Sequence, residues 1–202
     1  MSDIIATFVF FFAVIDPIGT VPVFIAVTSR YDQQLKRKIA VKATLVSAVI
    51  LVFFVVAGEV ILTAMNIPLA AFQIAGGIVL FLFALSMIFG ESKPDEEVKL
   101  ATSGGETAIF PLAVPSIAGP GAMLAAVLLT ENSRYNLWEQ TQTTVIMLSV
   151  LSIVLALMLA ASWVHRMIGN SGASIVSRIM GLILASVAVA SVLAGIKEYF
   201  AL

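Results

Sequence analysis

The sequence predicts an all-α polytopic membrane protein: six transmembrane helices in a 3+3 inverted-topology repeat, with helices one and four interrupted at the midplane. Three observations lead there. Of 202 residues, 60% are hydrophobic and 11% charged, with a mean hydropathy of +1.09. A soluble domain carries about 25% charged residues, so that class is excluded. The apolar residues gather into six long runs, and the second half of the chain echoes the first. With no Cys and a single His, disulfides, thiolate sites and a bound metal are not expected, and no cofactor is implied. A net charge of −1 leaves no basic field for nucleic acid.

A span needs about 20 apolar residues to cross a core of about 30 Å. The segments that qualify are Ile4–Thr28, Ile39–Met65, Leu69–Phe89, Thr107–Thr130, Thr143–Val164 and Ile175–Ile196. The first has no Lys or Arg among its opening fifteen residues and no small-residue cleavage site, so it reads as a retained helix. Lys42 and Glu59 lie near the two ends of the second, where such side chains reach the interface. Asn66-Ile67-Pro68 separates the second run from the third, since a single helix through it would overshoot the bilayer.

The polar connections are Arg30–Lys38, Glu91–Glu106, Glu131–Gln142 and His165–Ser174. Glu91–Glu106, with Pro94, Gly104 and Gly105, is long enough to link two halves, residues 1–95 and 96–202. The loops after helices one, three and five hold nine Lys and Arg (Arg30, Lys36, Arg37, Lys38, Lys42, Lys93, Lys99, Arg166, Arg178), and the other side holds two, Arg134 and Lys197. The positive-inside rule then places both termini outside the cytoplasm.

An offset of 100 lays Phe10, Ala13, Val14 and Gly19 over Phe110, Ala113, Val114 and Gly119, with Asp16 over Ser116. An offset of 105 lays Ile74, Gly76 and Ile78 over Ile179, Gly181 and Ile183. An odd number of spans per half inverts the second half, the plan on which many secondary transporters build a midplane site from paired broken helices. The interruptions expected are Asp16–Pro22 and Pro115–Gly121. Irregular backbone at that depth must be buried in protein or line a wet cavity, so two breaks predict one central cavity.

A carboxylate at mid-bilayer costs about 2.5–3.5 kcal/mol on insertion scales, which makes Asp16 a functional candidate. Asp16-Pro17 is also a helix-restart signal, with Asp as N-cap and Pro at the first helical position. The two roles are compatible. A helix restart carries unpaired N–H groups and about half a positive charge, an anion site. The expected substrate and ion site is therefore Asp16, Pro17, Gly19 and Thr20 from the first break with Pro115, Ser116, Ala118, Gly119 and Gly121 from the second. A small zwitterion fits it: its ammonium faces Asp16, where Na⁺ or H⁺ would also bind, and its carboxylate faces the Gly119–Gly121 turn. The plainer reading of these glycines is close helix crossing, which also accounts for Gly76, Gly77 and Gly181.

Secondary candidates are Glu59, Gln73 and Arg178. Glu59 reads first as an interfacial carboxylate and second as part of an outer gate. Gln73 and Arg178 open the third and sixth helices at nearly equivalent repeat positions, Arg178 reading first as a cytoplasmic anchor. His165 lies at a helix end with no second ligand residue beside it.

Four motifs together, Asp16-Pro17-Ile18-Gly19 with Pro22-Val23-Phe24, Pro111-Leu112-Ala113 through Gly119-Pro120-Gly121, Ala75-Gly76-Gly77-Ile78, and Arg178-Ile179-Met180-Gly181, resemble the MarC family. It is also classed as a six-helix neutral amino acid transporter family of prokaryotic inner membranes. The resemblance covers essentially the whole chain. It implies a secondary carrier of small neutral amino acids, glycine and alanine foremost, driven by an ion gradient, with the bilayer and the amino acid as partners and a homo-oligomer compatible. The rival readings are an exporter of other metabolites or drugs and a non-transport membrane protein. An enzyme is not expected, because one midplane Asp with one Ser falls short of a catalytic constellation.

Overall fold

In the computed structural model, which describes residues 4–89, 108–132 and 134–201, the first apolar run is two helices joined at one residue. α1 (Ile4–Ile15) and α2 (Pro17–Thr28) continue as a single span of 25 residues. The first interruption is thus narrower than the expected Asp16–Pro22. Pro22 lies inside α2, where its missing N–H costs one ladder bond without ending the helix. α3 (Gln33–Ala64) starts six residues earlier than Ile39, because the Asp32 carboxylate accepts the Leu35 N–H at 2.7 Å and caps the helix. The polar connection there shrinks accordingly. α4 spans Leu69–Phe89, as expected.

The linker Glu91–Glu106, with Lys93 and Lys99, lies outside the described residues. The second half begins with α5 (Ala108–Ile117), an irregular wide-turned segment, followed by α6 (Pro120–Leu128) at a bend of 56°. α7 (Leu137–Leu159) is started by Asn136, which accepts the Trp138 and Glu139 N–H groups at 3.0 Å while Glu139 returns a bond to the Asn136 N–H. Removing this reciprocal cap by Asn136→Ala is expected to lower stability by about 1 kcal/mol, read as a lower thermal midpoint in detergent. α7 ends at Leu159 rather than Val164, and the expected loop His165–Ser174 is helical. α8 (Ala161–Tyr199) changes direction once, at Gly169, whose φ of 65° only glycine adopts cheaply. Its first turn buries Ala161 and Val164, three apart on one face.

Five helices are long and apolar enough to cross a membrane, six with the bent pair α5–α6 as one span, and no strand occurs among the described residues. On α3, Val49, Phe53, Val56 and Val60 form an exposed apolar stripe, the pattern lipid rather than water requires. Half of the apolar window in Ile4–Thr28 is buried, against 22% for α3, so the broken span sits at the centre. There α1 packs on α6 and α7, α2 on α5, α7 and α8, α3 on α5, α6 and α7, and α4 on α6 and α8.

Glycines set the closest approaches. A Cβ at Gly77 would come 3.1 Å from the Ala188 carbonyl oxygen, and one at Gly181 would come 3.1 Å from that of Ala84. With Gly195 against Ala70, these pairs run antiparallel along α4 and α8. Gly76 meets Leu124 of α6. The packing role expected for Gly76, Gly77 and Gly181 is what the structure has.

Candidate functional site

Asp16 is 1% exposed and sits in the left-handed region, φ 50° and ψ 68°. For an L-residue that region costs about 1–2 kcal/mol, least for Asn and Asp. The ladder holds on both sides: the Asp16 N–H donates to Phe12 at 3.0 Å, and the Thr20 N–H donates to the Asp16 carbonyl at 3.1 Å. The break is therefore a one-residue flip, and the flip turns the Asp16 side chain back over the start of α2, where Oδ1 accepts the Gly19 N–H at 3.0 Å. Any Cβ at Gly19 would collide with that carboxylate, so the cap requires glycine there. Pro17, at the first helical position, has no N–H to leave unpaired.

The second break follows a different rule. Phe110 and Val114 are extended (φ −126° and −134°), and each precedes a proline, Pro111 and Pro115. A proline pushes the residue before it out of the helical region, and two prolines four apart do so twice. The interruption thus begins near Phe110 rather than at Pro115. Past it, the Ala118 N–H reaches back five residues to the Ala113 carbonyl at 2.8 Å, which also accepts the Ser47 hydroxyl of α3 at 3.3 Å. α6 begins at Pro120 with Gly119 as N-cap, and no side chain caps it. A Cβ at Gly119 would stand 2.9 Å from the Pro115 carbonyl oxygen.

The two breaks meet crosswise. The Ser116 hydroxyl, at the end of α5, donates to the Thr20 hydroxyl near the start of α2 at 3.4 Å, and Thr20 in turn donates to the Asp16 carbonyl at 3.1 Å. Reciprocally, Gly121 at the start of α6 packs on Val14 at the end of α1, with Leu80 of α4 alongside. Thr20, Ser116 and Ser47 are buried to 2% exposure or less. The Thr20 and Ser116 hydroxyls thus join the two breaks, which also carry the buried Asp16 carboxylate, an irregular carbonyl bonded by Ser47 and the uncapped start of α6. Such a set can hold a small cation or ammonium through its oxygens and a carboxylate at α6.

Around the break region, the side chains of Phe11, Ile15, Leu112 and Ile117 are all at 0% exposure. Cavities flank it along the first span. One, of about 470 Å³, reaches down α1 to Ala13 between Tyr135, Thr143 and Val187; another, of about 270 Å³, begins at Phe24 and Thr28 of α2.

The family model for MarC family integral membrane proteins matches residues 1–200. The chain belongs to the MarC family. Among its MarC relatives is a UPF0056 membrane protein of Methanocaldococcus jannaschii, 35% identical over 92% of each chain. Another, from Archaeoglobus fulgidus, is 32% identical over 98% of this chain and 94% of its own. The UPF0056 inner membrane protein YhgN of Escherichia coli is 32% identical over 98% of both. No solved structure matches the chain.

The remaining candidates of this MarC protein lie apart from the breaks. Glu59 accepts the Asn132 N–H at 2.8 Å, tying α3 to the loop after α6. Gln73 is 8% exposed and its Oε1 has no hydrogen-bond partner among the described residues, whereas Arg178 is exposed. Because α4 and α8 are antiparallel, those two lie toward opposite ends of the pair. Ser47 was missed by sequence reasoning: a lone Ser in an apolar span carries no signal of which carbonyl it will meet.

Proposed function

We propose that this chain is a secondary carrier of small neutral amino acids, of the glycine and alanine type, coupled to Na⁺ or H⁺. The observation that carries the reading is the contact of the two breaks through Thr20 and Ser116, beside a buried Asp16 held in the left-handed region. Strain of that kind persists only where the surroundings over-determine it, and it clusters at functional sites. Asp16 and the hydroxyls receive the ammonium or the coupling ion, and the uncapped start of α6 receives the carboxylate. The buried break region between two cavities fits an occluded state, from which access opens to one side at a time.

The 3+3 inverted repeat, divided at about residue 95, belongs to the same proposal. Exchanging α1, α2, α3 and α4 for α5, α6, α7 and α8 turns each of the more extensive packing pairs into another that exists: α1 with α7 becomes α5 with α3, and α2 with α8 becomes α6 with α4. Three spans per half bring both termini to one side, and the Lys and Arg of the Arg30–Lys42 segment favour the cytoplasm for that segment and the outside for the termini. The name of YhgN supports an inner-membrane location.

The 470 Å³ cavity, walled mostly by apolar side chains such as Val9, Phe10 and Leu129, favours one second reading: export of larger apolar metabolites or drugs. Counterflow separates the two. Purified chain in liposomes preloaded with alanine is expected to accumulate labelled glycine or alanine. Well-folded protein that gives no counterflow with either would overturn the amino-acid reading.

A further inference from the structure

Beyond α2, at the end of the first span away from the N-terminus, the 270 Å³ cavity combines charge with apolar wall. Lys36 and Arg37 enter it from the start of α3 and Arg166 from the start of α8, with Ser162 beside them and Phe24 and Met158 among the apolar side chains. No Asp or Glu lines it, and none of the three cations is in an ion pair among the described residues. Helix stability does not explain them: cations favour helix C-termini, and Lys36 and Arg37 sit near an N-terminus. Membrane orientation needs Lys and Arg on one side but not their convergence on one cavity, and Lys38 and Lys42 of the same stretch do not line it.

We propose that this cavity binds a phosphate group, carried by an anionic phospholipid or free in solution. Three cations around one void repel each other until an anion offsets them, and basic pockets between transmembrane helices take up phosphate head groups in this way. The apolar wall gives an acyl chain somewhere to lie, and a free anion needs only the charged half. The site does not depend on the transport reading, since none of its lining residues belongs to the two breaks.

Native mass spectrometry of the full-length chain in detergent, titrated with phosphatidylglycerol, phosphatidylcholine or inorganic phosphate, tests this. Phosphatidylglycerol is expected to bind well above phosphatidylcholine. The triple variant Lys36→Gln, Arg37→Gln, Arg166→Gln is expected to weaken phosphatidylglycerol binding about a hundredfold. Arg166→Gln alone is expected to weaken it about fivefold and covers the case in which the triple variant does not fold. Lys38→Gln, which removes the same charge outside the cavity, is expected to change nothing. Displacement of the lipid by inorganic phosphate assigns the site to the free anion as well, and retention of the lipid assigns it to the headgroup. Equal binding of the two lipids without binding of inorganic phosphate, or affinities for phosphatidylglycerol and phosphate both unchanged in Arg166→Gln, overturns the proposal.

Discussion

Asp16→Asn is expected to leave the fold standing and to lower amino-acid uptake about a hundredfold, the scale on which removal of one member of a buried charge pair acts. The separation of effects follows from what the carboxylate does. As a cap it needs only one acceptor for the Gly19 N–H at 3.0 Å, and an Asn oxygen supplies that. As a residue at φ 50° it needs a side chain that tolerates the left-handed region, and Asn is as good as Asp there. What Asn cannot supply is the charge. Asp16→Ala loses the cap as well and is expected to cost about 1–3 kcal/mol of stability besides. Glu59→Gln serves as the control, since an amide oxygen can take over the bond from Asn132, and uptake is expected to change less than twofold. Uptake in liposomes read beside thermal unfolding in detergent distinguishes these outcomes. Equal uptake by Asp16→Asn and wild type would reduce Asp16 to a helix cap.

Gly77→Leu is expected to have the largest effect on stability, about 3 kcal/mol or more, because the side chain has nowhere to go. Its Cβ alone would come 3.1 Å from the Ala188 carbonyl and 3.2 Å from the Val192 backbone nitrogen, so α4 and α8 must move apart as bodies. Gly76→Leu, by contrast, meets first a side chain, that of Leu124, rather than backbone, and is expected to cost less. In a membrane the packing of close backbones is a main force between helices, so separation is not offset by hydrophobic gain elsewhere. Thermal midpoints of the two variants in one detergent check the order.

The restart at Asp16-Pro17 was legible because cap and proline chemistry is local: one side chain, one N–H and one fixed φ decide it. That the chain holds five or six candidate spans was legible for the same kind of reason, since apolar run length and bilayer thickness need no tertiary information. The extent of the breaks was read less well. Pro22 looked disruptive, yet α2 runs through it; Pro111 counted only as part of a family motif, yet with Pro115 it makes α5 irregular. The rule for the residue before proline would have found Phe110 and Val114. The early start of α3 was also readable, from Asp32, but the polar run Arg30–Lys38 looked like a loop. That Thr20 touches Ser116 was beyond any local rule. Ninety-six residues separate them, and only the packing of α2 against α5 brings them together.

The chain contains no cysteine, so Ser116→Cys places a single thiol at the meeting point of the two breaks. Its reaction with a membrane-impermeant thiol reagent in oriented liposomes tests the central claim most directly, that this junction is the substrate site of an alternating-access carrier. The account predicts slow labelling from each side of the membrane, slowed further by alanine or glycine and not by a large charged amino acid. Labelling that is indifferent to alanine and glycine, or a thiol that stays unreactive from both sides while the variant still transports, would contradict it.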